Sequence, residues 1–331
     1  MATPLDVLKG NQRSAAKYSQ QVGEARVRKH LEHAQRELNR RLREAEQLSG
    51  PGLGEFTRAQ MESVLAQLTA TLDGMKPGFK GAIVETTTDA IEPAVMGTAR
   101  YLRTLDNMYK GVGTQPLALD TVAMLDTAKM GTEASVLRRI AADPDHKGRP
   151  GVIDRYGSAV IKTFEGALQQ RFLQKQTWSM ARQAIVDESP FLQGAPAHWA
   201  ERVIRTETMA ASNRASWEAI QEVQSTDGDM VKILSATFDD RTAADSYAVH
   251  GQIRRVSEAF ESWFGMYQAP PNRPNDREIV APHNTRWPIP AYLRWRSDGE
   301  IVARWAQEKR KGSPPARPKM TTVPLSKFPK S

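Results

Sequence analysis

Between residues 199 and 220, Trp199, Val203, Thr206, Ala210, Asn213, Trp217 and Ile220 follow one another at steps of four and three. That spacing places them on one face of an α-helix. Two tryptophans and several aliphatic residues make it a face that must be buried, so a helix over about 197–224 needs a partner surface. Asn213 sharpens the constraint because it lies inside the stripe. A buried amide without hydrogen-bond partners costs about 1–3 kcal/mol. Asn213 is therefore expected to bond a neighbouring main chain and pin the helix to a small sheet. Glu207 and Arg214, seven residues apart beside the stripe, are expected to bond main-chain groups or each other. An acid–base role for Glu207 is disfavoured, since no nucleophile or histidine lies near it in sequence.

The chain before this helix also reads as helical. Leu31, Ala34, Leu38, Leu42, Ala45 and Leu48 recur at steps of three and four, predicting one long helix over about 13–48. Acidic and basic residues alternate along its remainder. That mixture favours a solvated face with intrahelical ion pairs over a DNA-binding face. A second helix is expected over 57–73, with Thr57 and Gln60 forming a capping box. Gly74, Pro77 and Gly78 should interrupt it, and Pro93 should break or kink a third helical region ending near Lys110. Two or three short helices are expected up to Ala142. A hinge or domain edge is expected at 143–151, then one or two helices over 152–186.

After Asp227 the texture changes. Residues 231–238 read as a strand, and further strands are expected near 252–256 and 277–281. Asp239, Asp240, Arg241 and Thr242 form a turn before a short helix over 242–249. Thr242 and Asp245 fit a capping box, and His250-Gly251 fits a helix end with a left-handed glycine. Turn chemistry explains each of these residues, which disfavours a catalytic set of Asp240, Arg241 and His250. The fold class expected is α+β and predominantly α-helical: a helical N-terminal half, then a module with a small β-sheet packed on helices.

Composition excludes several functions. The 331 residues contain no cysteine, which removes disulfides, thiolate catalysis and cysteine-based zinc sites. The six histidines are scattered; His30 and His33 are expected to face water. No metal-protease, P-loop or dinucleotide pattern occurs, so no cofactor, metal or catalytic residue is expected. No apolar stretch approaches the roughly 18 residues of a membrane span. Residues 1–6 lack the pattern of a signal peptide, so synthesis in a cytosol-like compartment is expected. A net charge of +8 is modest over this length and by itself indicates only a basic protein. The most basic stretch is C-terminal, with Arg294, Arg296, Arg304, Lys309, Arg310, Lys311, Arg317 and Lys319 among prolines. It reads equally as a solubilising tail or as a salt-sensitive, sequence-independent DNA contact.

The ordered set Arg205-Thr206-Glu207-Thr208 with Asn213, then Asp239-Asp240-Arg241-Thr242 with His250-Gly251, then Pro274-Asn275 with Arg277, resembles the head-morphogenesis domain of phage Mu F-like minor capsid proteins. The resemblance covers about residues 195–285. Many members of that family look as if they carry a four-cysteine metal site. Here Ala243, Ser246, Asp276 and Glu278 stand at those places, so packing and hydrogen bonds must hold the module together. Asp276, Glu278 and His283 offer oxygen and nitrogen donors, but no metal is expected there.

The resemblance implies a non-enzymatic minor capsid protein on the capsid interior near the portal vertex, passing through the host cytoplasm during assembly. Its partners would be the portal protein or the major capsid protein, together with packaged double-stranded DNA. Residues 1–150 would then be the helical portal- or shell-contacting region. Residues 151–290 would hold the head-morphogenesis module, and 291–331 a basic helix and Pro/Lys-rich tail. The alternatives are a virion-carried enzyme, either a nuclease or an ADP-ribosyltransferase-type effector, and an assembly chaperone absent from mature particles. Only about 45 residues follow the matched region, short for an added catalytic domain.

Overall fold

A computed structural model describes residues 4–48, 57–110, 116–141, 152–174, 177–189, 196–239, 242–263, 265–272 and 276–294, with Ala303 and Ala306. Among them the helices are α1 (Pro4–Leu48), α2 (Arg58–Thr88), α3 (Ile91–Tyr109), α4 (Thr121–Ala141), α5 (Val152–Leu173), α6 (Trp178–Glu188), α7 (Pro196–Asp227) and α8 (Ala244–Val249). The strands are β1 (Met230–Ser235), β2 (Ile253–Arg255), β3 (Phe260–Ser262), β4 (Gly265–Tyr267) and β5 (Ile279–Asn284). The protein is thus a predominantly α-helical α+β fold. The domain edge expected at 143–151 lies outside the described residues.

The chain forms two compact units, each built from separate stretches: residues 1–19, 87–135 and 205–331 in one, 20–86 and 136–204 in the other. In the second unit Leu31, Ala34, Leu38 and Leu42 of α1 are buried, as their spacing requires. Each leucine contributes about 1.5–3 kcal/mol relative to exposure. Thr57 and Gln60 cap α2 reciprocally: the Thr57 N–H donates to Gln60 Oε1 at 2.8 Å, and the Gln60 N–H to Thr57 Oγ1 at 3.2 Å.

Two breaks expected from proline do not occur as read. α2 runs on through Gly74 and Pro77, because its inward face continues with the buried Phe79, Ala82 and Ile83. Tertiary burial outweighs the lost helical hydrogen bond. Pro93 is the third residue of α3, within the first turn, where an N–H has no helical partner to lose. Residues 121–141 form one helix instead of several short ones, started by Asp120 Oδ1 accepting from the N–H groups of Val122 and Ala123. His30 also departs from expectation: it is half-buried, with its ring 6.0 Å from that of Phe79, while His33 is exposed.

In the first unit a three-stranded antiparallel sheet has the order β2-β1-β5, with Ile233 opposite Ile253 and Ala281. All six residues of β1 are buried. One apolar core joins Leu8 of α1, Val95 and Leu102 of α3, Met124 of α4, Trp217 and Ile220 of α7, and Ile233 and Val280 of the sheet. The β3–β4 hairpin is a separate two-stranded sheet, with Phe260 opposite Tyr267. Sequence reading missed it because three-residue strands are too short to display an alternating pattern.

Gly23 marks a close helix approach in the second unit. A Cβ there would meet Thr86 Cγ2 at 2.2 Å and Ile204 Cγ2 at 3.1 Å. Thr86 is fully buried, and its hydroxyl donates to the Ala82 carbonyl at 2.7 Å, which fixes its rotamer. Alanine in a helix is ordinarily favoured over glycine by about 1 kcal/mol. Here overpacking should win, and Gly23→Ala is expected to lower the unfolding free energy by about 1–3 kcal/mol in denaturant titration.

Candidate functional site

Of the motif residues read from sequence, Asn213 of α7 meets the main chain of β5, and the others described lie along α7 and around the turn after β1. On α7, Thr206, Glu207, Thr208 and Asn213 are buried and Arg205 is half-buried. Of the stripe, Val203, Thr206, Ala210, Asn213, Trp217 and Ile220 are buried; the Trp199 side chain lies outside those described. Burial extends beyond one face, since Ala211, Ser212, Ala215, Ser216 and Ala219 are buried too.

Asn213 bonds main chain in both directions. Its Nδ2 donates to the Glu278 carbonyl at 2.9 Å, and its Oδ1 accepts from the Val280 N–H at 3.1 Å. The amide thus pairs with β5 as a peptide of a neighbouring strand would. Arg214 pairs with Glu218, four residues on, at 2.5 Å, and its guanidinium lies 4.0 Å from the Trp217 ring centroid. The Trp217 indole N–H donates to the Val256 carbonyl at 2.7 Å, tying α7 to the segment after β2.

Two glutamines repeat the device. Gln252 Nε2 donates to the Glu261 carbonyl at 3.0 Å while its Oε1 accepts from the Glu261 N–H at 2.7 Å, fixing β3. Gln224 Nε2 donates to the Gly228 carbonyl at 2.7 Å and its Oε1 accepts from the Met230 N–H at 2.8 Å, setting the turn from α7 into β1. Sequence reading did not single out either glutamine. Each lies beside a turn, and which main chain it meets is decided only by the tertiary fold.

The turn after β1 is built differently from its expected capping box. Ala243, not Thr242, precedes α8, and no side chain caps that helix. Thr242 Oγ1 instead accepts from the Asp239 N–H at 2.8 Å and donates to the Thr237 carbonyl at 2.5 Å, closing the turn on itself. Asp245, freed from capping, accepts from the Trp263 N–H at 2.9 Å and from Asn272 Nδ2 at 3.1 Å. Asp239 forms a two-pronged ion pair with Arg277, which raises the guanidinium pKa further. Gly251 has φ of +77°, the left-handed conformation expected after α8. His250 Nδ1 accepts from the Ala236 N–H at 3.1 Å, which requires the neutral tautomer with its proton on Nε2. Asp240, Arg241, Pro274 and Asn275 lie outside the described residues. So do Arg296, Arg304, Lys309, Arg310, Lys311, Arg317 and Lys319; Arg294 is described and exposed.

The donors considered for an oxygen/nitrogen site have protein partners. Asp276 Oδ2 accepts from the Asn272 N–H at 3.3 Å, and Glu278 Oε2 accepts from the Tyr267 hydroxyl at 3.1 Å. Burial first, and then the carboxylates of Glu278, Asp276 and Asp245, raise the Tyr267 pKa well above its usual range. Among the described residues no group of three His, Asp or Glu side chains converges as a metal site.

Lys232, on fully buried β1, was not foreseen. Its ammonium donates to the main-chain carbonyl and Oε1 of Gln268 at 2.8 and 2.9 Å, and faces the rings of Phe260 at 4.8 Å and Trp217 at 5.2 Å. Desolvation, followed by the charge of Arg214, lowers its pKa to about 7. A lysine in step with Met230 and Leu234 was the available signal, since strand alternation sends all three to one face.

No protein-family model, curated protein or solved structure matches the chain. Its site is therefore read from its own geometry.

Two outcomes test this geometry. Asn213→Leu keeps the branched shape but is larger and leaves a buried carbonyl and a buried N–H unpaired. It is expected to cost about 2–5 kcal/mol in chemical denaturation, well beyond Asn213→Gln if the longer amide retains one bond. His283, buried and donating from Nε2 to the Trp287 carbonyl at 3.2 Å, is held neutral: desolvation lowers its pKa to about 4. Unfolded, it titrates near 6.5, so the unfolded state takes up the proton first. Its contribution is complete above about pH 6.5 and is lost as pH falls towards 4, up to about 3 kcal/mol. Stability curves at pH 7 and pH 4.5 should show that loss in the wild type and a smaller one in His283→Gln.

Proposed function

We propose that this chain is a minor head protein of the Mu F-like type: a non-enzymatic component of a phage capsid interior, associated with the portal vertex and touching packaged DNA. The observation that carries the reading is the Asn213 clamp. The asparagine of the Arg-Thr-Glu-Thr helix reaches main chain 65 and 67 residues away, beside the Arg277 motif. The motif helix and the segment after Arg277 thereby bond directly, which supports the reading.

The chemistry of the motif residues supports the same reading. Asn213, Thr242, His250 and Gly251 bond main chain or shape a turn, and Asp239 and Arg277 bond each other. Such groups position a surface and do not activate a substrate. The exposed Arg294 continues into the basic C-terminal stretch, which supplies the DNA contact in this proposal.

Purified mature particles carrying the chain, quantified by mass spectrometry, are expected to retain it at a low, portal-like copy number. Absence from mature particles but presence in immature shells would instead identify an assembly chaperone. Nuclease or transferase activity of the folded protein that disappears in Glu207→Ala or Asp240→Ala would replace the proposal with an enzyme.

A further inference from the structure

The long helix α1 sorts its mixed charges by face. Between residues 20 and 48, the exposed charged side chains described are Arg28, Lys29, Glu32, Arg36, Arg40 and Arg43. Five of the six are cationic. Of the other acids described in that stretch, Glu24, Glu37 and Glu44 are half-buried. Glu37 and Glu44 pair with Arg40 and Arg41, and the Arg40 hydrogen bond holds the Glu37 carboxyl below its usual pKa. Arg28, Lys29, Arg36 and Arg43 enter no ion pair among the described residues.

Lys29, Arg36 and Arg43 are seven residues apart, so each lies only about 20° around the helix from the last. They form a nearly straight line about 21 Å long. Duplex DNA carries about 12 phosphate charges over that length. The uncharged exposed positions of the same stretch are Gln21, Ala25, His33 and Gln47, with no large apolar side chain among them. A folded protein partner would need buried aromatic or aliphatic anchors to bind well. A phosphodiester backbone needs only cations of sufficient reach. The other described helices of this unit carry few exposed cations: Lys80 on α2, Arg138 on α4, Lys162 on α5 and Arg202 on α7.

We propose that the Lys29–Arg36–Arg43 face of α1 is a ridge that binds the phosphate backbone of duplex DNA without regard to sequence. It adds a second DNA-contacting surface to the proposed function, and rests on that reading for the choice of DNA as the polyanion. Arg28 lies beside the line and widens it, Arg40 is largely neutralised by Glu37 and Glu44, and Glu32, the exposed carboxylate among the described residues, reduces the charge of the ridge.

The test is fluorescence anisotropy of the full chain with a short labelled duplex, repeated across a salt series. The triple variant Lys29→Gln, Arg36→Gln, Arg43→Gln places good helix formers at exposed positions, and circular dichroism checks that it folds. It is expected to bind unrelated duplexes uniformly more weakly, with the log–log salt slope shallower by up to about 2.7. Lys80→Gln with Lys162→Gln, which removes charge off the ridge, should leave that slope nearly unchanged. An unchanged slope in the folded triple variant would overturn the ridge, as would an equal loss in the off-ridge variant. Wild-type protein that binds polyglutamate but no duplex would also overturn it, identifying an acidic protein surface instead. None of these outcomes alters particle composition, so failure of the ridge is distinguishable from failure of the capsid reading.

Discussion

The two-way bond between Asn213 and β5 is the contact on which the α+β module depends. A side-chain amide carries a donor and an acceptor at the spacing of a peptide group, so it can dock on an exposed strand as another strand would. Asp in its place would offer an acceptor to the Glu278 carbonyl, which is itself an acceptor. A leucine would fill the space but leave both main-chain groups dry. Gln252 and Gln224 apply the same logic to β3 and to the start of β1. The amides are also uncharged at every accessible pH, so these joints do not titrate.

Charge is handled separately within the module. Arg286 ties Asp227 and Asp229, at the end of α7 and the turn that follows it, to the segment beyond β5. Lys232 lies buried between two aromatic faces and two oxygens of Gln268, and desolvation there disfavours its charged form. Asp276 and Glu278 are two carboxylates of the segment leading into β5. Those carboxylates accept hydrogen bonds from the Asn272 N–H and the Tyr267 hydroxyl.

What could be read in advance was local. The stripe on α7, the Thr57–Gln60 box and the Gly251 turn each follow from residues within a few positions of one another, so period and cap chemistry suffice. The need for an Asn213 partner was also legible, because burial of an amide demands one wherever it is found. What escaped reading was decided at a distance. The burial of Phe79 and Ile83 carries α2 through Pro77, and the β3–β4 hairpin exists because Gln252 and the core side chains Phe260 and Tyr267 hold it. The sign alternation along α1 hid its basic face, since order along the chain does not disclose angle around a helix until the inward side is known.

The interleaving of the two units sets a condition on how the chain can fold as it is made. Leu8 shares a core with Ala281 and Leu293, so the unit containing Leu8 cannot close until β5 and the segment after it have been synthesised. Residues 20–86 and 136–204 emerge from the ribosome sooner and can reach a complete core first. Leu8 is therefore translated before most of its core partners and buried only once they have been made.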